Sequence, residues 1–187
     1  MVVICYNPET MTRYTALLRG INVGGHRVKM TQLGEIFRDI GFSNIKTYIN
    51  SGNVFFDSVS IDKQDLTNLI EQRLQAVLGY EVPTFLRTTA ELKSIISQDA
   101  FKGIKLTDDK RFSVLFTKQP IPEKVVLPQY SSKNDMEIIA VNVYEAFVVW
   151  HIINGRPPSG RFQDSIIPIE NTSRFYHTFS KILAAAN

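Results

Sequence analysis

Leu17-Leu18-Arg19-Gly20-Ile21-Asn22-Val23-Gly24-Gly25-His26-Arg27-Val28-Lys29-Met30 runs from an apolar strand into a helix through glycines and cations. Upstream, Tyr14 to Arg19 is short and apolar, with an aromatic and a β-branched residue at its start, the composition of a buried strand. Downstream, Leu33, Ile36, Phe37 and Ile40 fall at i, i+3, i+4 and i+7, which marks one face of a helix from about Met30 to Ile40. The chain has to turn between the two. Gly20, Gly24 and Gly25 tolerate positive φ, so the main-chain N–H groups between them can point into one concavity. No acidic residue stands between Glu9 and Glu35, whereas Arg13, Arg19, Arg27 and Lys29 do, so the local field favours a phosphate, sulfate or carboxylate. The N-terminus of the following helix adds its dipole.

Known phosphate loops differ from this one. Gly20 and Gly25 have G-x-x-x-x-G spacing, but His26-Arg27 stands where a Walker loop needs Lys followed by Ser or Thr. A G-x-G-x-x-G fingerprint is absent as well. A plain βα connection, with glycines for turn geometry and cations in solvent, accounts for the same residues equally well, although such loops usually hold about two to six residues and this one is longer.

Working outward, Gly41 ends the first helix and Phe42 stands where a hydrophobic contact follows a glycine C-cap. Ile45 to Ile49 and Asn53 to Phe56 read as two antiparallel strands around Asn50-Ser51-Gly52-Asn53, whose Ser-Gly pair suits a tight hairpin turn. Asp62 opens a second helix with an apolar stripe of Leu66, Leu69, Ile70, Leu74, Val77 and Leu78, and Gly79 closes it. Val82 to Arg87 is again extended, with Pro83 suited to a sheet edge or a strand's first residues. The order βαββαβ is ferredoxin-like and predicts a four-stranded antiparallel sheet with both helices on one face.

The second half begins with Thr88 and Glu91 at capping-box spacing ahead of Leu92, Ile95 and Ile96. Arg111 to Phe116 alternates, and Met136 to Val141 with Ala146 to His151 forms a predicted hairpin. Thr117 to Asp135, rich in proline, is read as turns with room for a helical turn, and Asn154 to Asn171 as a long surface loop. A last helix is predicted from about Ser173 to Ala185, with Phe175, Phe179, Ile182, Leu183 and Ala186 on its docking side. The fold class is α+β: a tail over residues 1–12, a ferredoxin-like part over 13–88 and a second, smaller α+β part with an antiparallel sheet over 89–187.

Leu18-Arg19-Gly20-Ile21-Asn22-Val23-Gly24-Gly25, followed by Lys29-Met30 and by Tyr48-Ile49-Asn50-Ser51-Gly52-Asn53-Val54, closely resembles the bacterial domain-of-unknown-function family number 1697. The resemblance covers about Tyr14 to Ala185, and it implies an α+β fold, a ferredoxin-like N-terminal part and no established activity. Near the C-terminus, Thr172, Arg174, Thr178 and Lys181 match the family's closing T-x-R-N-W-N-T motif and its later lysine, while Phe175, Tyr176 and His177 replace the usual Asn-Trp-Asn. Arg174 and Lys181, seven residues apart, are expected near one helix face, either as a solvated basic edge or as part of the site.

Composition narrows the function classes. Net charge is +3, and residues 1–88 carry nine basic against eight acidic groups and 89–187 twelve against ten, too even a spread for a dedicated nucleic-acid stripe. Cys5 is the only cysteine, so neither a disulfide framework nor a thiolate cluster is indicated, and a reducing cytoplasm fits. Met1 to Cys5 is too short for a signal or membrane segment. His26, His151 and His177 lack metal-ligand spacing, no cofactor is implied, and His151 is expected partly buried and hydrogen-bonded. Ser51 lacks the flanking glycine and the strand-to-helix turn of a nucleophile elbow, and Asn50 and Asn53 fit a scaffold role. No pair of carboxylates sits in an apolar context, so general acid/base work is not indicated.

The leading expectation is therefore a binding module for a phosphate-bearing ligand, nucleotide or nucleic acid, using Arg19, Gly20, Asn22, Gly24, Gly25, Arg27 and Lys29, with Arg174 and Lys181 as candidates from the far end of the chain. Binding to nucleic acid is expected to be weak and non-specific. An enzyme acting on a small anionic metabolite, with His26 as acid or base, and a protein-interaction domain are the alternatives. Partnership with a membrane is not expected, and the chain is expected to be a monomer or weak dimer.

Overall fold

The structure is a computed structural model that describes residues 11–49, 52–59 and 62–186. Cys5, Asn50 and Ser51, singled out above, lie outside the described residues. The chain divides into two compact units, one reaching to Leu92 and taking in Ala185 and Ala186, the other spanning Lys93–Ala184.

In the first unit β1 (Thr12–Leu18) leads through the glycine loop into α1 (Met30–Asp39), followed by β2 (Ser43–Tyr48), β3 (Asn53–Ser58), α2 (Lys63–Leu78) and β4 (Thr84–Thr88). The sheet order is β2-β3-β1-β4, and every pairing is antiparallel. This order is compatible with the ferredoxin-like arrangement. Because side chains alternate along a strand, Tyr14, Ala16 and Leu18 of β1, Val54 and Phe56 of β3, and Leu86 of β4 share one face. Leu33, Ile36 and Phe37 of α1 and Leu66, Ile70 and Leu74 of α2 belong to the same core, so both helices cover that face.

The helix ends follow their local chemistry. Asp62 caps α2 by accepting the Asp65 N–H at 2.9 Å, and Gly79 ends it in the left-handed conformation at φ 80°. The predicted α2 stripe is narrower than its six residues, since Leu69 and Val77 are exposed. After α1 the Phe42 ring stacks on Phe56 with centroids 4.2 Å apart. β2 and β3 flank the predicted hairpin turn, and the buried Asn53 side chain donates to the Tyr48 carbonyl at 3.1 Å across it, the scaffold role expected of that residue.

The second helix-and-sheet system begins with α3 (Thr89–Ser97), entered by a complete capping box: Glu91 N–H donates to Thr88 Oγ1 at 3.2 Å, and Glu91 Oε2 accepts the Thr88 N–H at 2.8 Å. Lys63 adds an ion pair to the Glu91 carboxylate. Burial works to raise the Glu91 pKa, but the bonds from Lys63 and Thr88 outweigh it and leave the group below the usual carboxylate value. β5 (Lys110–Thr117), β6 (Gln129–Tyr130), β7 (Met136–Val141), β8 (Glu145–His151) and β9 (Asn171–Phe175) form an antiparallel sheet in the order β6-β7-β8-β5-β9, and α4 (Tyr176–Ala186) closes the chain.

Two expectations are corrected here. The Thr117–Asp135 segment contains a strand, β6, paired with β7. The last helix begins at Tyr176, not Ser173, because Asn171–Phe175 is a strand paired with β5, with Thr172 and Arg174 buried and Ser173 and Phe175 exposed. A period of two runs into a period of 3.6 at that point, and Phe175 fits either pattern. His151 is half-buried, as expected, but it makes an ion-pair contact of 3.5 Å from Nε2 to Glu137 Oε2 in place of the expected hydrogen bond. The loop after His151 is long, as read, but it also covers the sheet: Phe162, Ile166 and Ile167 pack with Leu115, Ile138 and Val148.

Candidate functional site

The loop from Arg19 to Lys29 is fastened at its base and open at its tip. Ile21 and Val28 are buried in the core, whereas Val23, Gly24, Gly25, His26 and Arg27 are exposed. The fastening is polar as well. Leu18 N–H donates to the Gly52 carbonyl at 2.8 Å, Arg19 N–H to the Pro83 carbonyl at 2.9 Å, and the Tyr80 hydroxyl to the Ile21 carbonyl at 3.2 Å. Asn22 Oδ1 accepts the Val28 N–H at 2.7 Å and so ties the two ends of the loop together. His26 N–H donates to the Val23 carbonyl at 3.2 Å, and its ring stacks on Tyr80 with centroids 3.8 Å apart.

This geometry divides the expected site residues by role. The backbone N–H groups of Arg19, His26 and Val28 are committed to protein acceptors, so those groups belong to the frame of the loop. Asn22 also acts in that frame. Gly24 and Gly25 adopt φ values of 63° and 93°, and a Cβ on either would meet no atom within 4 Å, so glycine serves the backbone turn there and the space beside it stays open. Gly20 has φ 77° and begins the turn.

The charges of the loop are exposed as well. Arg19, Arg27 and Lys29 are exposed, and α1 begins directly after Lys29 with no side-chain cap and no acidic residue in its first turn. An uncapped helix start leaves N–H donors without intrahelical acceptors, and these donors and the dipole favour an anion. Lys29 has the extended backbone of an N-cap residue, φ −67° and ψ 140°, but its side chain carries a donor where a cap needs an acceptor.

At the far end of the chain, Arg174 and Lys181 do not share a helix face, which corrects that expectation. Arg174 sits on β9 and is buried, donating through Nη1 to Thr172 Oγ1 at 3.0 Å and to the Ser173 carbonyl at 2.9 Å. Burial pushes its pKa down to about 10. Lys181 lies on α4 and is exposed.

Two residues that shape the loop escaped the residue-by-residue reading. A Cβ on Gly52, at φ 74°, would lie 2.5 Å from Ile21 Cγ2 and 3.0 Å from Leu18 Cβ, so Gly52 packs closely against the start of the glycine loop. Tyr80 follows the glycine that ends α2, and no spacing rule connects it to His26. Among the described residues, no group of three or more His, Cys, Asp or Glu side chains could hold a metal ion, and no helix is long and apolar enough to cross a membrane.

Fold and loop together define an α+β protein of two antiparallel sheets and four helices among the described residues, carrying an exposed basic glycine loop at a helix start. The model of the family described as "Protein of unknown function (DUF1697)" matches residues 11–147, and the chain belongs to that family. Among solved structures, a similar fold is that of a conserved bacterial protein, SP0830 from Streptococcus pneumoniae, at TM-score 0.64 and 23% identity over 95% of this chain and 99% of that one. Among curated proteins, none matches this chain.

Proposed function

We propose that the protein is a binding module for a phosphate-bearing ligand, a nucleotide or a nucleic acid, held at the glycine loop. One observation carries this reading: the exposed cations Arg27 and Lys29 immediately precede the uncapped start of α1 on a loop without a carboxylate. The backbone around Gly24 and Gly25 contributes N–H donors, Arg27 and Lys29 contribute charge, and Arg19, directly after β1, adds a third cation. Asn22 and Tyr80 act as positioning residues through Val28 and Ile21. Arg174 is omitted from the binding set because its guanidinium is buried on β9.

Isothermal titration calorimetry of the full chain against inorganic phosphate, ATP and glucose 6-phosphate tests the reading. Charge-assisted hydrogen bonds are worth roughly 1.5–3 kcal/mol each, so Arg27→Ala, Lys29→Ala and Arg19→Ala should each weaken the bound anion by about one to two decades. Equal affinities in wild type and all three variants, or no heat with any anion at millimolar concentration, would leave the loop as a structural turn. A short single-stranded oligonucleotide is expected to bind weakly and to be released as salt is raised.

A further inference from the structure

The second unit contains a built cleft whose residues the glycine-loop reading does not use. It is an open groove of about 460 Å³ lined by Lys133, Asp135, Ile153, Asn154, Arg156, Pro157 and Ser159. That volume lies within the roughly 300–1,000 Å³ of small-ligand sites.

Three chain segments form the cleft, and each is locally fixed. Asn154 and Gly155, at φ 53° and 73°, make a two-residue turn whose flanking residues Ile153 and Arg156 exchange backbone hydrogen bonds of 3.3 and 3.0 Å. In the turn from Ser131 to Asp135, the Ser131 hydroxyl donates to Asp135 Oδ1 at 2.6 Å and accepts the Met136 N–H at 3.0 Å. The third segment is fastened to that turn through the Asp135 carboxylate, which accepts the Ser159 N–H at 2.7 Å and the Gly160 N–H at 2.9 Å. Gly160 permits this approach, since a Cβ there would lie 2.4 Å from Asp135 Oδ1 and 2.7 Å from Ser131 Oγ.

The Asp135 carboxylate is thus occupied by donors of the cleft's own frame, and it pairs with neither cation. Lys133 Nζ reaches only the Ser159 hydroxyl, at 2.9 Å, and neither Lys133 nor Arg156 has a carboxylate partner among the described residues. Both cations and Ile153 are exposed. Two cations without a direct carboxylate partner, on walls that also carry the Asp135 carboxylate and beside the exposed Ile153 and Pro157, offer a ligand charge and carbon together. Pre-set walls also lower the ordering cost of binding.

We propose that this cleft binds a small organic oxyanion, its charged head against Lys133 and Arg156 and its body along Ile153 and Pro157. The site is independent of the glycine loop and is tested separately from it. Amide ¹⁵N–¹H spectra of the full chain are recorded while phenyl phosphate, benzoate or inorganic phosphate is added. Phenyl phosphate or benzoate should give saturable shifts at Ile153, Gly155 and Ser159, and which of the two binds tighter assigns the head as phosphate or carboxylate. Inorganic phosphate should bind more weakly than phenyl phosphate.

Arg156→Gln and Lys133→Gln alter exposed side chains, and each should weaken binding about tenfold or more while the spectrum keeps its dispersion. Arg27→Ala combined with Lys29→Ala should leave these shifts unchanged. Shifts that do not saturate with either organic anion, or an affinity unaffected by both Arg156→Gln and Lys133→Gln, would overturn the proposal.

Discussion

Asp135 stays ionised although only 6% of it is exposed. Burial works to raise its pKa, but the Ser131 hydroxyl and the N–H groups of Ser159 and Gly160 more than offset this and hold it at about 2. A depressed carboxylate pKa contributes stability above the unfolded value, near 3.9, and that contribution is lost as the pH falls from about 4 through 2. The unfolding temperature of the wild type should therefore drop over that window, and Asp135→Asn should flatten the drop. At neutral pH the same substitution sets an amide against donors and should cost about 1–3 kcal/mol in chemical denaturation. Lys29 presents the opposite case, a residue at a cap position whose side chain cannot cap. Lys29→Asp supplies the missing acceptor and should raise stability by about 1 kcal/mol while weakening anion binding at the loop. A variant that gained stability without losing anion affinity would separate Lys29 from the proposed site.

At the scale of elements, Gly52, directly before β3, and Ile21 of the glycine loop are closely packed, because Gly52 leaves the space that Ile21 fills. Gly52→Ala adds a methyl group at 2.5 Å from Ile21 Cγ2 on a left-handed backbone, and should cost about 1–3 kcal/mol or more while shifting amide resonances of residues 20–25. Unshifted loop resonances would show the two stretches to be uncoupled. Gly24→Ala meets open space, so its cost should be confined to the backbone, about 1–2 kcal/mol. Elements set by neighbours in sequence were legible before the structure: the Asp62 cap, the Gly79 stop and the Thr88–Glu91 box each place their signal within a few residues. The glycine loop was legible as a loop with cations for the same reason. β9 was not, since Thr172 and Arg174 are strand residues only through their pairing with β5, and β6 exists only through β7. The Asp135 frame joins residues 131, 135, 159 and 160 across a long loop, and no periodicity records such a contact.

For the whole molecule, a net charge of +3 spread over both halves of the sequence gives little long-range attraction for a polyanion, so affinity has to come from local sites. Binding to single-stranded nucleic acid should then fall steeply between about 50 and 200 mM salt, whereas a phosphate held by directed N–H donors should respond less. The central claim is that the loop between Arg19 and Lys29 takes an anion at the start of α1. Its most direct measurement is an amide ¹⁵N–¹H titration of the full chain with inorganic phosphate, in wild type and in the Arg27→Ala, Lys29→Ala double variant. The account predicts saturable shifts centred on Gly24, Gly25 and the first turn of α1 in the wild type, reduced at least tenfold in affinity in the variant. Shifts that do not saturate, or equal saturation in both proteins, would contradict it.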